Sequence, residues 1–166
     1  MRSMLLESMA VCFFLTSLAF PNEERNAPQE AIIDILPGIC PNTISPMGEG
    51  AFPVAILDSR EFSVRDIDRR SVRLQTSDSG GSVVPLRSFF RDIATPLPSE
   101  SCECHNPVSD GIEDLIFNFD LTEIIEALNL LSFPNQTIRL KLIGRMVENG
   151  GPADFIGVDC VQIPDN

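Results

Sequence analysis

Apolar runs rich in β-branched residues recur along the chain between turn residues, and this pattern predicts β-strands. Six of the runs are AIIDIL (31–36), FPVAIL (52–57), SVRLQ (71–75), SVVPLRSFF (82–90), TIRLKLIG (137–144) and FIGVDCVQI (155–163). The last two flank the sequence ENGG (148–151), whose Asn and Gly residues accept positive φ. We therefore expect these two runs to form an antiparallel hairpin.

A seventh run, in the middle of the chain, predicts a strand followed directly by a helix. Residues 114–120 alternate strictly and place three apolar side chains on one face. Asp120 is suited to cap a short helix near 121–129, in which the apolar residues recur at the spacing of one helix face. Together the seven runs predict a mainly all-β protein, a β-sandwich of about seven strands with this one short helix.

The first 19 residues have the features of a secretory signal peptide. Arg2 is followed by an apolar run that extends to Leu18, and small residues precede a cleavage point at Phe20. Residues 20–30 are polar and form a flexible lead-in, which leaves 31–164 as the β-sandwich domain. No other apolar run approaches the roughly 20 residues that span a bilayer, so no stable transmembrane segment is expected after signal removal. The alternative is an amphipathic N-terminal helix of a cytosolic protein.

The charge of the chain limits its partners. It carries 24 acidic and 12 basic residues, for a formal charge of −12. Nucleic acids and anionic membrane surfaces require a basic footprint, so this balance argues against both. An acidic surface suits a secreted protein, extracellular or periplasmic, whose partner is an unidentified protein or surface.

The cysteines point to the same compartment. Once the leader is removed, four remain: Cys40, Cys102, Cys104 and Cys160. Four cysteines in an exported chain predict two disulfides, for which three pairings are possible. We favour a Cys102–Cys104 bond in a small ring together with a Cys40–Cys160 bond, because first and last strands often lie side by side in sandwiches.

Acidic residues ahead of the central strand suggest a cation site. Asp110 and Asp114 flank Gly111, and Asn106 offers an amide oxygen, so these residues could wrap oxygen ligands around Ca²⁺. The alternative is an Asx-type turn that starts the strand. Zinc on Cys102, Cys104 and His105 would lack one ligand, and no cofactor is certain.

Enzymatic sites gain no support from the sequence. His105 is the only histidine and has no GxSxG serine to activate. Carboxylate pairs are abundant in so acidic a chain and carry no weight for acid–base catalysis. We therefore expect a non-enzymatic protein without catalytic residues, and a small acidic hydrolase is the weakest alternative.

Several segments in order resemble a module of exported bacterial and archaeal proteins. They are IDILPGICPNTISPMGEGAFPVAIL (33–57), DIDRRSVRL (66–74), DIATPLP (92–98), CECHNPVSDGIEDLIFNFDLTEIIEAL (102–128) and DFIGVDCVQI (154–163). The family pattern reads IDIKPGSxPNxIN, then VAIL, then DGxxDLxxxF, and the likeness covers about residues 31–164.

The resemblance implies an Ig-like β-sandwich with no firmly established activity. Many members carry D-x-[DN]-x-D-G before the strand, which implies calcium; this chain matches at Asp110, Gly111 and Asp114 and departs at Asn106 and Val108. It is similar instead to the subgroup with C-x-C before the turn, which implies paired disulfides. The expected function is that of a secreted, disulfide-braced structural or binding module, with a calcium-stabilised adhesion or ligand-binding domain as the alternative.

Overall fold

A computed structural model describes residues 27–45, 47–77, 80–96, 102, 105, 107–148 and 151–165. Within these residues the chain forms nine β-strands and one α-helix. They are β1 (Gln29–Ala31), β2 (Ile33–Ile35), β3 (Ala51–Ile56), β4 (Ile67–Thr76), β5 (Ser82–Val83), β6 (Arg87–Arg91), β7 (Asp114–Asp120), α1 (Leu121–Ala127), β8 (Gln136–Glu148) and β9 (Gly151–Ile163). The predicted leader (1–19) and residues 20–26 of the predicted lead-in lie outside the described residues.

The strands form two sheets, in the order β1-β9-β8-β4-β5 and β2-β3-β7-β6. The protein is therefore the mainly β sandwich that was predicted. The structure has nine strands where about seven were predicted, because two of the predicted runs are each divided into two strands. The run 31–36 contributes to β1 and β2, and the run 82–90 is divided at Pro85, which cannot donate to a ladder. The first strand begins at Gln29, within the predicted lead-in.

Apolar side chains from the facing sheets fill one core. The largest fully buried side chains include Phe52, Phe117, Phe119 and Phe155. The predicted inner face of β7 is confirmed, since Phe117 and Phe119 are completely buried. The other face of β7 is also covered, because Ile116 packs in a second, small cluster with Ala55, Leu57 and Ala94.

The predicted helix is confirmed close to its expected bounds. The carboxylate of Asp120 accepts a hydrogen bond from the Glu123 N–H at 3.1 Å and so caps α1. Ile124 and Leu128 are buried against the sheets. The helix ends before Asn129, whose φ of 51° is left-handed. No helix in the described part of the chain is long and apolar enough to cross a membrane.

The N-terminal segment contributes to both sheets. Residues 29–31 run parallel to β9, and residues 33–35 pair antiparallel with β3. The chain passes from one sheet to the other at Ile32, beside Gly157 of β9. A Cβ on Gly157 would collide with the Ile33 side chain and come within 3.0 Å of the Ala31 carbonyl oxygen, so this crossing requires glycine.

Candidate functional site

A disulfide bond anchors the loop before β7 to the last strand. Cys102 is bonded to Cys160, with their Cα atoms 4.7 Å apart. The favoured pairing of Cys102 with Cys104 and of Cys40 with Cys160 is therefore wrong. The first strands do lie beside β9, but Cys102 reaches the same part of β9 and forms the disulfide bond with Cys160. Cys40 is also disulfide-bonded, whereas Cys104 lies outside the described residues.

His105 ties the same loop to β2. Its Nε2 atom is 3.0 Å from the carbonyl oxygen of Ile33. A carbonyl oxygen only accepts hydrogen bonds, so Nε2 carries the hydrogen and donates it. The Nδ1 atom is buried and has no hydrogen-bond partner among the described residues.

Asp159 connects β9 to β2 and to the loop after it. Its Oδ2 atom accepts hydrogen bonds from the Ile35 N–H at 2.9 Å and from the Asn42 amide at 3.1 Å, and its Oδ1 atom accepts one from the Cys160 N–H at 2.7 Å. Asn42 also donates to the Cys160 carbonyl oxygen at 3.0 Å. Burial raises the pKa of Asp159, and the backbone hydrogen bonds oppose that rise. The carboxylate thus serves as a structural acceptor inside the sandwich.

Asp34 is the second buried carboxyl group in this region, with 6% of its surface exposed. Burial raises its pKa to about 6; the charge of His105 opposes this rise, and the nearby Asp159 adds to it. Asp34, Asp159 and His105 therefore form a buried polar cluster whose charges influence one another.

A small pocket of about 90 Å³ opens beside this cluster. It is lined by Asp34, Gly38, Ile39, Cys40, Asn42, His105 and Pro107. Histidine and carboxyl groups in a pocket can exchange protons. A volume of this size holds a few water molecules, so the pocket suits water or a small ion rather than an organic substrate.

Asp114, predicted as a calcium ligand, is instead surrounded by backbone donors. Its Oδ1 atom accepts from the Asp58 N–H at 3.1 Å, and its Oδ2 atom accepts from the N–H groups of Ile93 at 3.0 Å and Ala94 at 3.3 Å. The residue is 1% exposed, and burial raises its pKa against the effect of these hydrogen bonds. Asp114 thereby joins the segments that follow β3 and β6 to the start of β7.

Asp110 lies in an exposed turn. Its Oδ1 atom accepts from the Ile112 N–H at 2.9 Å, which is the Asx-type turn named as the alternative to calcium. Asp92 accepts from the N–H groups of Asp110 and Gly111, at 3.2 and 2.8 Å. Asn106 lies outside the described residues. No cluster of three or more His, Cys, Asp or Glu side chains suited to a metal occurs in the part of the chain that the structure describes. Calcium at Asn106, Asp110 and Asp114 stays a prediction.

Sequence reasoning missed two residues of the buried cluster, Asp34 and Asp159, and also Asn42, which donates a hydrogen bond to Asp159. A signal for two of them was present. Asp34 interrupts the apolar run of 31–36, and Asp159 interrupts that of 155–163. An acidic residue within a strand that is apolar on both sides must be hydrogen-bonded or neutralised, which marks both positions as structural or chemical sites.

Comparison with known proteins does not assign this chain to a family. No protein-family model matches it, and no curated protein matches it. Among solved structures, a similar chain is AggA, the major subunit of aggregative adherence fimbriae type I from Escherichia coli, at 11% identity and a TM-score of 0.32. The match covers 82% of this chain and 94% of that chain. A TM-score of this size is too low to assign an activity.

Proposed function

We propose that this chain is an exported, non-enzymatic β-sandwich module that works as a structural or binding domain outside the cytoplasm. The observation that carries the proposal is the Cys102–Cys160 disulfide, together with the bonded state of Cys40. Disulfides persist in oxidising compartments and are rare in the cytosol. The signal-peptide features of residues 1–19 and the likeness to exported modules support the same assignment.

The hydrogen bonds of two buried carboxylates in β7 and β9 support a structural role for these acidic residues. The carboxylates of Asp114 and Asp159 together accept five backbone N–H hydrogen bonds, from Asp58, Ile93, Ala94, Ile35 and Cys160. These groups hold segments that are distant in sequence. The disulfide at Cys160 lies next to Asp159 in β9 and braces the same strand.

The disulfide gives the first test, on protein isolated from its native compartment. We expect no free thiol after removal of residues 1–19. The crosslink joins residues 58 positions apart, which corresponds to about 4 kcal/mol of unfolding free energy in the chain-entropy treatment. The double variant Cys102→Ser/Cys160→Ser should lose stability of this order in denaturant unfolding.

Cys12→Ser is the matched control, because Cys12 lies in the predicted leader and its loss should leave the stability of the mature protein unchanged. Four free thiols in the native protein, or a double variant as stable as the parent, would contradict the proposal.

The pocket beside Asp34 and His105 is the observation that favours an enzyme as a second candidate. Carboxyl groups with a raised pKa that lie near a histidine are found often at active sites. The small volume disfavours it. A screen of hydrolase substrates decides the matter. Turnover that is lost on Asp34→Asn, or on Asp110→Asn or Asp114→Asn at the predicted acidic site, would overturn the non-enzymatic assignment.

The calcium-stabilised domain is tested by titration calorimetry with Ca²⁺. Heat of binding, with a melting temperature that falls when chelator is added, would support it. We expect neither, because both carboxylate oxygens of Asp114 already accept hydrogen bonds from the backbone.

A further inference from the structure

The basic residues of this acidic protein are concentrated in one part of the chain. Residues 65–91 contain six arginines and three aspartates, although the whole chain carries a charge of −12. Strand β4 and the segment through β6 lie in this interval. The fold brings four of the arginines, Arg69, Arg70, Arg73 and Arg87, to the wall of one groove, and we call these four the arginine surface.

An irregularity in β4 presents two of these arginines. The pairing of β4 with β8 shifts between Asp68, opposite Arg145, and Arg73, opposite Ile143. Four residues of β4, 69–72, therefore face a single residue of β8. Bulges redirect side chains, and at this bulge Arg69 and Arg70 are exposed to solvent. The Ser71 hydroxyl fixes it by donating to the Asp68 carbonyl oxygen at 2.6 Å and accepting from the Arg145 N–H at 2.7 Å.

The groove lies between this bulge and the turn that joins β5 to β6. Its volume is about 350 Å³, and Val84, Pro85 and Ser88 complete its lining. Val84 is 45% exposed, so the groove also offers apolar surface. Cationic walls with an apolar floor suit a ligand that carries both anionic groups and hydrocarbon faces.

The guanidinium groups of the arginine surface are held by uncharged partners. Arg69 lies over the Phe90 ring, 4.5 Å from its centroid. Arg73 donates from Nη1 to the carbonyl oxygens of Arg70 at 2.9 Å and Val72 at 2.7 Å. Arg87 faces Asn118, whose side-chain oxygen, when turned toward it, accepts from Nε at 3.1 Å and from Nη2 at 3.3 Å.

Carboxylates neutralise other arginines but not these. Arg65 pairs with Glu113 at 2.7 Å, and Arg145 pairs with Asp68 at 3.4 Å. No carboxylate of the described residues lies within ion-pair distance of the arginine surface. Four like charges at one groove repel one another, and an anion bound there would relieve this repulsion.

The cationic surface extends into a second groove. This groove, of about 520 Å³, shares Arg70 and Arg73 with the first and adds Arg145. Its lining also includes the apolar residues Ile143 and Phe155 and the acidic residue Asp154, and Arg145 is the arginine that already pairs with Asp68, so the free positive charge there comes from Arg70 and Arg73. Arg70 and Arg73 border both grooves, so a ligand that extends from one groove to the other would pass these two positive charges, which suits a polymer with repeated negative charges better than a single small anion.

We propose that this two-groove surface binds an acidic polysaccharide through its carboxylate or sulfate groups. Guanidinium groups bind such planar or tetrahedral oxyanions through paired hydrogen bonds, and the apolar floor can meet the faces of sugar rings. The proposal names the ligand class of the binding module proposed above and rests on its export, since such polymers are found outside cells. Nucleic acid fits less well, because guanidinium groups already lie over the Phe90 ring on which a base would stack.

The test is binding of the purified, disulfide-bonded protein to immobilised heparin and to polygalacturonate at low ionic strength. Neutral dextran, single-stranded DNA and polyglutamate serve as comparison ligands. The variant Arg69→Gln/Arg70→Gln removes two charges from the surface. Arg60→Gln/Arg139→Gln removes two charges outside both grooves and is the matched control. Melting curves confirm that each variant is folded.

We expect the protein to bind at least one acidic polysaccharide, with an affinity that falls as salt is added. The affinity should fall tenfold or more in Arg69→Gln/Arg70→Gln and less than twofold in the control variant. Heparin alone would identify sulfate as the recognised group, and polygalacturonate alone would identify carboxylate. Absence of binding to both, equal losses in the two variants, or tighter binding of DNA or polyglutamate would overturn the proposal. Free thiols in the native protein would contradict the proposed export and leave this binding result unaffected.

Discussion

Asp110 and Asp114 are four residues apart in the sequence, yet the fold gives their carboxylates opposite surroundings. Asp110 is exposed and accepts one local hydrogen bond, whereas Asp114 is buried and accepts three from two other segments. Spacing alone suggested that both could bind one cation. The structure assigns the first to a turn and the second to holding the segments after β3 and β6 together.

This difference predicts unequal effects of removing each carboxylate. Asp114→Ala leaves the N–H groups of Asp58, Ile93 and Ala94 without their acceptor and should lower the free energy of unfolding by about 2–4 kcal/mol. Asp110→Ala is the matched control and should cost no more than about 0.5 kcal/mol. Urea unfolding measures both. Equal losses would contradict the role given to Asp114.

The raised pKa of Asp34 predicts how stability depends on pH. Its pKa rises from 3.8 to about 6 on folding because the carboxyl group is buried. Between these values the folded protein binds a proton that the unfolded chain releases, so stability falls as pH rises through this interval. The pKa values of Asp114 and Asp159 are also raised on folding, so both groups also lower stability as the pH rises. The melting temperature should therefore be higher near pH 4.5 than at pH 7.

The variant Asp34→Asn isolates one part of this dependence. The asparagine side chain cannot ionise, so the free energy of unfolding of the variant should exceed that of the parent by about 1–2 kcal/mol at pH 7. It should also decline less between pH 4 and pH 6. The exposed Asp66→Asn is the control and should follow the parent curve. A parent protein whose stability increases over this interval would show that the sign is wrong.

At the scale of elements, the seven apolar runs located most of the strands, the hairpin β8–β9 and the capped helix, because periodicity and caps are local properties; the first residues of β1 and β4 lay outside the runs. The division of the first strand was not predictable from its apolar pattern. It depends on two distant partners, β9 for residues 29–31 and β3 for residues 33–35. The crosslink was missed for a similar reason, since the path of the loop that carries Cys102 is set by tertiary contacts.

Gly157 supports the crossing of that divided strand, and its replacement tests the packing there. Gly157→Ala forces a methyl group against Ile33 and the Ala31 carbonyl, and should destabilise the protein by about 1–3 kcal/mol. Gly80→Ala is the matched control, since nothing lies within 4 Å of a Cβ at that position. Thermal unfolding distinguishes the two variants. A tolerated Gly157→Ala would mean that the two sheets can move apart at this point.

At the scale of the whole molecule, net charge is a poor guide to local surface. A charge of −12 argued against nucleic acids and anionic membrane surfaces, but an average over 166 residues conceals the arginine surface. The run of arginines in 65–91 is visible in the sequence. Its convergence on one groove is not, because it requires the β4 bulge to face the turn before β6. The buried cluster was hidden in the same way, since Asp34 and Asp159 are far apart in sequence.

The parallel pairing of β1 with β9 has a mechanical consequence. Gln29 is opposite Phe155 and Ala31 is opposite Gly157, so the two strands run in the same direction. Tension that pulls the N-terminal end of β1 away from the C-terminal end of β9 slides one strand along the other. All the hydrogen bonds between them then bear the load together, instead of opening one at a time as in a peeled hairpin. A module built in this way resists stretching along its own length.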